Sequence, residues 1–104
     1  MKTKTIKPSL DKKIFIKKPK MYKVIFFNDD FTPFSFVEKI LVIIFNKTEA
    51  EANEIANKIH TDGSAVVGVY IHEIAHTKQA QTLFNARQNG FPLYCDIEPE
   101  DSET

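Results

Sequence analysis

The chain predicts an α+β sandwich: a three-stranded antiparallel sheet with three helices packed on one face. Three observations predict it. Runs rich in β-branched and aromatic residues recur at Tyr22–Phe27, Ala65–Tyr70 and Pro92–Ile97, and each reads as a strand. Between the first two lie two segments whose apolar residues recur at three- and four-residue spacing. A long segment that closes at Gly90, a natural helix stop, separates the last two. The resulting order, β-α-α-β-α-β, sorts strands and helices into two layers.

Each element has a local reason. Residues 1–20 hold Pro8, Pro19 and eight Lys, and are expected to be a flexible extension ahead of a core at 21–98. Thr32 is a suitable N-cap, with Pro33 at the first helical position. The helix face that follows is Phe36, Val37, Ile40, Leu41, Ile44 and Phe45, and the extra apolar residues Val42 and Ile43 suggest burial on more than one side. Thr48 with Glu51 three residues on is a capping box for a second helix over 49–60, with the face Ala52, Ile55, Ala56 and Ile59. Gly63 marks the turn into the second strand. The third helix is expected over 71–89. Residues 99–104 form an acidic tail.

With 104 residues the chain is one domain, large enough for one modest core. Its single cysteine, Cys95, excludes an internal disulfide framework and fits a reducing compartment. No apolar run approaches the roughly 20 residues a membrane helix needs. Ile14-Phe15-Ile16 is too short for the apolar region of a signal peptide. The expected address is the cytoplasm. The zero net charge hides an asymmetry. Residues 1–20 carry eight Lys against Asp11, a net +7, so the remainder carries −7. An acidic body argues against a nucleic-acid-binding core.

Three constellations could carry chemistry. The first is Asn28-Asp29-Asp30 with His60. An amide oxygen, a carboxylate and a neutral imidazole supply three acceptors, which suits an ammonium with three donors and no acceptor. Each charge-assisted bond is worth about 1.5–3 kcal/mol, and an adjacent apolar pocket adds about 1.5–3 kcal/mol for a buried Leu or Phe side chain. The competing reading is a turn whose Asn and Asp bond their own backbone, plus a solvated histidine. The second is His72-Glu73-Ile74-Ala75-His76, an H-E-x-x-H pattern of the kind that holds zinc in metalloproteases. A catalytic zinc needs a third protein ligand. Gln79 and Thr82 occupy the Gly and third-His positions of the extended motif, and only Glu98 or Glu100 could substitute. The third is the polar face Glu73, Lys78, Gln79 and Gln81, which reads as a solvated face that would also suit a protein partner.

At this point the residues resemble a known family. Tyr22-Lys23-Val24, Asn28-Asp29-Asp30-Phe31-Thr32-Pro33 and Phe36-Val37 look like the signature of the ClpS adaptors. So do His60 followed by Gly63, Gly68-Val69-Tyr70, Glu73-Ile74-Ala75 with Lys78, Ala86-Arg87, and Pro92-Leu93-x-Cys95. The resemblance covers about residues 20–98 without a gap. It implies a non-enzymatic, cofactor-free adaptor with the β-α-α-β-α-β fold. Such proteins recognise substrates bearing N-terminal Leu, Phe, Tyr or Trp and deliver them to a Clp AAA+ unfoldase, through its N-terminal domain, for degradation. By the family pattern Asn28, Asp29 and His60 hold the α-amino group, and Asp30 helps hold the substrate backbone and the loop. Thr32, Pro33, Phe34, Val37, Ala56, Ile59 and Leu93 would form the side-chain pocket. Glu73 and Lys78 match residues that contact the unfoldase, and the N-terminal arm would engage it during delivery. Neither a metal, a nucleic acid nor a membrane is implied, and a monomer is expected.

Three positions depart from the family pattern. Phe34 stands where many members have Met at the pocket mouth, and Ala56 where many have Met or another larger residue. A bulkier gate and a smaller wall are expected to reshape selectivity. His76 stands where Glu is common, which makes the H-E-x-x-H match a coincidence of Glu73 being present for another reason. Binding that relies on a neutral His60 as acceptor is expected to weaken on acidification. A small zinc hydrolase, and a Clp-regulating module that binds no substrate, are the alternatives.

Overall fold

In a computed structural model, which describes residues 18–100, the elements follow the expected order: β1 Met21–Phe27, α1 Phe34–Ile43, α2 Glu49–Asp62, β2 Ser64–Ile71, α3 His72–Gln88 and β3 Tyr94–Pro99. Most of the 1–20 extension and residues 101–104 of the acidic tail lie outside the described residues. Among the described residues the strands form one antiparallel sheet in the order β2-β1-β3. The most apolar strand therefore takes the central place, where both its edges are paired. Val24 and Phe26 point to the helices and are fully buried.

The helices close over that face. α1 packs on α2, α2 on β2, and α3 against all the strands. The core joins Val24 and Phe26 to Val37, Ile40 and Leu41 of α1, Ala52, Ala56 and Ile59 of α2, and Ala75 and Ala86 of α3. Small Ala residues on α2 and α3 let those helices sit close to their neighbours.

The local details explain where the boundaries fall. The expected start of α1 shifts by one residue. Pro33, at φ −63° and ψ 142°, is the cap and Phe34 the first helical residue. Thr32 does not cap: its N–H and its hydroxyl both donate to the Asp29 carboxylate, at 2.7 and 2.8 Å, which ties the residue into the loop, and its oxygen accepts from no helix N–H. α1 ends at Ile43, earlier than the apolar spacing suggested. Ile44 and Phe45 are still buried beyond it, and Asn46 turns the chain at φ 57°. Burial on more than one side does not hold for Ile43, which is 57% exposed; Val42 is half-buried. The capping box is present in full: Thr48 Oγ1 accepts from the Glu51 N–H and the Glu51 carboxylate accepts from the Thr48 N–H. α2 runs two residues past the expected end and stops at Gly63, whose φ of 92° only glycine adopts without strain. β3 begins at Tyr94 instead of Pro92. Pro92 has no N–H for a ladder, and the Arg87 guanidinium takes up the carbonyls of Phe91 and Leu93 at 3.0 and 2.8 Å.

β2 carries a bulge opposite Val24 and Ile25, which pair with Gly68 and Val66 and leave Val67 as the extra residue. A Cβ at Gly68 would overlap the Tyr70 ring, so the glycine lets that ring fold back over its own strand.

Candidate functional site

The acidic corner is built by β1 running out against the end of α2. The Asn28 N–H donates to the Gly63 carbonyl at 2.9 Å. That one backbone bond brings the Asn28-Asp29-Asp30 loop beside the last turn of α2, where His60 lies. The loop then closes around Asp29. Its Oδ1 accepts from the N–H groups of Phe31 (2.8 Å) and Thr32 (2.7 Å), and its Oδ2 accepts from the Thr32 hydroxyl (2.8 Å). Partial burial pushes the Asp29 carboxyl up. The Thr32 and Phe31 N–H groups, the Thr32 hydroxyl and the Arg87 charge outweigh it, and Asp29 is held below the ordinary carboxylate value. It is a fixed negative charge. A carboxylate offers about four lone-pair sites, and three are in use, which leaves one for a donor from outside.

An open pocket of about 530 Å³ starts at this corner. Asn28, Asp29, Asp30 and His60 line its polar end, with Thr32, Phe34, Val37, Ala56 and Ile59 along the rest. Val37 and Ile59 are buried side chains facing it from α1 and α2. Ala56 leaves space where a longer side chain would fill the wall, and Phe34 stands half-exposed at the first turn of α1. Thus the acceptor set and the apolar set, read separately in the sequence, share one cavity. Two expected members stand apart from it. Leu93 is 1% exposed within the core, and Pro33 is an exposed cap residue; neither lines the cavity. Asn57 does line it and was missed by sequence reasoning. Its position three residues before His60, on the same side of α2, was the available signal.

The loop-holding bonds expected of Asp30 fall to Asp29. Asp30 is exposed and makes no side-chain hydrogen bond among the described residues.

On the far side of the molecule Glu73 is exposed in the first turn of α3. Lys78 Nζ donates to the Ile44 carbonyl at 2.6 Å and lies 5.6 and 5.4 Å from the ring centroids of Phe45 and Tyr70. The positive charge thus sits at the C-terminal end of α1, where the helix dipole favours it. The rings of His72 and His76 stack at 6.2 Å, and Tyr22 meets His72 edge-on at 4.7 Å. Among the described residues no three His, Cys, Asp or Glu side chains form a metal-binding group, so the pair has no third protein ligand of the kind a catalytic zinc requires. Burial pushes the Cys95 thiol up to about 12, with Asp96 adding to it, so Cys95 is a core residue and not a nucleophile.

The molecule is thus a small α+β sandwich with an acceptor corner opening into an apolar pocket. The comparisons give the family. A model for the "ATP-dependent Clp protease adaptor protein ClpS" matches residues 17–96. An ATP-dependent Clp protease adapter protein ClpS of Treponema denticola is 49% identical over 80 residues, 77% of this chain and 79% of that one. One from Shewanella piezotolerans is 51% identical over 83 residues, covering 80% and 81%. The solved structure of Agrobacterium tumefaciens ClpS2 bound to L-phenylalaninamide superposes with a TM-score of 0.77 at 40% identity, over 80% of this chain and all of that one. The chain belongs to the ClpS family of Clp protease adaptors. Its relatives are named as adapters and not as enzymes, and the zinc-hydrolase reading is set aside.

Proposed function

We infer that this adaptor binds substrates whose free N-terminal residue is bulky and hydrophobic — Leu, Phe, Tyr or Trp — and presents them to the N-terminal domain of a Clp AAA+ unfoldase. One observation carries the reading: Asn28, Asp29 and His60 line the same cavity as Phe34, Val37, Ala56 and Ile59. An α-ammonium placed at the polar end finds the remaining lone pair of Asp29, the Asn28 amide and the His60 imidazole. Its side chain then enters the apolar part. The ClpS2 structure supports this, since L-phenylalaninamide has a free α-amine, a blocked carboxyl and a benzyl side chain. Asp30, Thr32 and Pro33 would flank the substrate backbone, and Leu93 would support the pocket from behind. The space left by Ala56 favours larger side chains.

Glu73, exposed on α3, is assigned to the unfoldase surface. Lys78 shapes that surface by anchoring the end of α1, and the extension before residue 21 acts during delivery. The working unit is a cytoplasmic monomer. No helix among the described residues is long and apolar enough to cross a membrane.

The test is fluorescence polarisation with labelled peptides beginning in Leu, Phe, Tyr, Trp, Ile and Met, and with acetyl-Phe. Tight binding of free Phe and Trp termini, abolished by acetylation, is expected. Equal binding of the acetylated peptide sinks the reading, and a chain that binds none of them is a Clp regulator without substrate recognition.

A further inference from the structure

The face of α3 away from the pocket holds a pair of histidines that peptide binding does not use. His72 and His76 are four residues apart, in the first two turns of the helix, and both are exposed. Side chains at that spacing lie one above the other on a helix surface. Here their rings are within 8° of parallel, with centroids 6.2 Å apart. Neither ring makes a hydrogen bond among the described residues, so each keeps a nitrogen lone pair for another partner. Tyr22 packs edge-on against His72 at 4.7 Å, and His76 is exposed one turn further along.

We propose that His72 and His76 form an exchangeable two-imidazole site for a divalent cation of the Zn2+, Ni2+ or Cu2+ type. Imidazole nitrogens suit these borderline ions and not Mg2+ or Ca2+, which prefer oxygen ligands. Two bonds of about 2.0–2.1 Å at a tetrahedral angle need nitrogens about 3.4 Å apart. Imidazole lone pairs lie in the ring plane, so the near-parallel rings do not yet converge on one ion. Rotation about the side-chain torsions of these two exposed histidines, whose i, i+4 spacing puts them on one helix face, is needed to bring the nitrogens to that separation. Glu73 follows His72 directly and points off that line, since adjacent helix residues do not share a face. Its charge offsets the positive end of the α3 dipole, which disfavours a cation at this end. Water, or a ligand from a partner, completes the coordination. Two protein ligands and a helix N-terminus make the site weak and reversible, unlike a structural zinc centre. The site is independent of how the pocket is read.

The experiment titrates the full chain with Zn2+ against a chromophoric chelator in Mg2+-containing buffer, alongside His72→Gln, His76→Gln and Thr77→Ala. One Zn2+ per chain is expected. Each histidine variant should weaken binding by at least about tenfold, and Thr77→Ala should leave it unchanged. Imidazole NMR signals of His72 and His76 should shift on Zn2+ addition while those of His60 do not. All three replaced side chains are exposed, so circular dichroism should show the fold intact. A parent chain that takes up no Zn2+, a histidine variant with unaltered affinity, or displacement of Zn2+ by Mg2+ overturns the proposal.

Discussion

Asp29 organises the loop and also supplies charge to the pocket, and replacing it should separate from replacing His60. Asp29→Asn removes the charge and leaves one oxygen to serve three donors. Stability should fall by about 1–2 kcal/mol in urea unfolding, and peptide affinity should fall with it. The pH dependence has a definite sign. A carboxyl held below its ordinary 3.8 contributes stability above that value and loses it as pH falls through the lowered one. The stability gap between parent and Asp29→Asn should therefore close on acidification below about pH 4; a gap constant down to pH 2 contradicts the charge-based account. His60 is exposed, on the other side of the corner. His60→Ala should weaken binding of a free Phe terminus by about tenfold or more, the worth of one charge-assisted bond. It should change unfolding by no more than about 0.5 kcal/mol.

At the scale of elements, the pocket is set by how α1 and α2 end and begin. Gly63 closes α2 and offers the carbonyl that holds Asn28. A Cβ there meets no atom within 4 Å, so Gly63→Ala costs only backbone strain, about 1–2 kcal/mol. Relaxation of that strain moves the carbonyl, and peptide affinity should fall although no pocket side chain has changed. Affinity equal to the parent would show that the loop does not depend on this junction. Lys78→Met keeps the stem that lies near Phe45 and Tyr70 but leaves the Ile44 carbonyl at the end of α1 without its charged donor. A loss of about 1–2 kcal/mol is expected by thermal or urea unfolding. The sequence made some of this legible. Thr48 and Glu51 announce the start of α2 because a capping box is a local interaction, complete within four residues. Thr32 misled because its N–H and hydroxyl both donate to Asp29, and only the folded loop shows the residue tied to that carboxylate instead of accepting from a helix N–H. The bond from Lys78 to Ile44 joins residues 34 apart, and no local pattern encodes it.

At the scale of the molecule, the pocket is where β1, α1 and α2 meet over one core, and this accounts for what the sequence could and could not disclose. Three polar residues of the corner, Asn28, Asp29 and Asp30, are contiguous in the chain, so they stood out, while His60 and Asn57 reach it from α2. The wall is assembled from Val37, Ala56 and Ile59, which also belong to the core periodicity, and spacing alone cannot separate a core residue from a pocket residue. Leu93 shows the converse, a residue assigned to the pocket that the fold places in the core. Because the site draws on these elements together, it exists only in the folded state, and a ligand that binds it must stabilise the whole domain. At a concentration one hundred times its Kd, a peptide adds about 2.7 kcal/mol to the folded state. For a domain of this size each kcal/mol raises Tm by about 4–8 °C. A peptide with a free N-terminal Phe should therefore raise Tm by roughly 10 °C or more in a thermal scan, and its acetylated twin should leave Tm unchanged. A shift seen equally with both would locate binding outside the acceptor corner. A free Phe peptide that binds by polarisation yet leaves Tm unmoved would mean that it binds the unfolded chain as well, and that the corner of Asn28, Asp29 and His60 does not define its site.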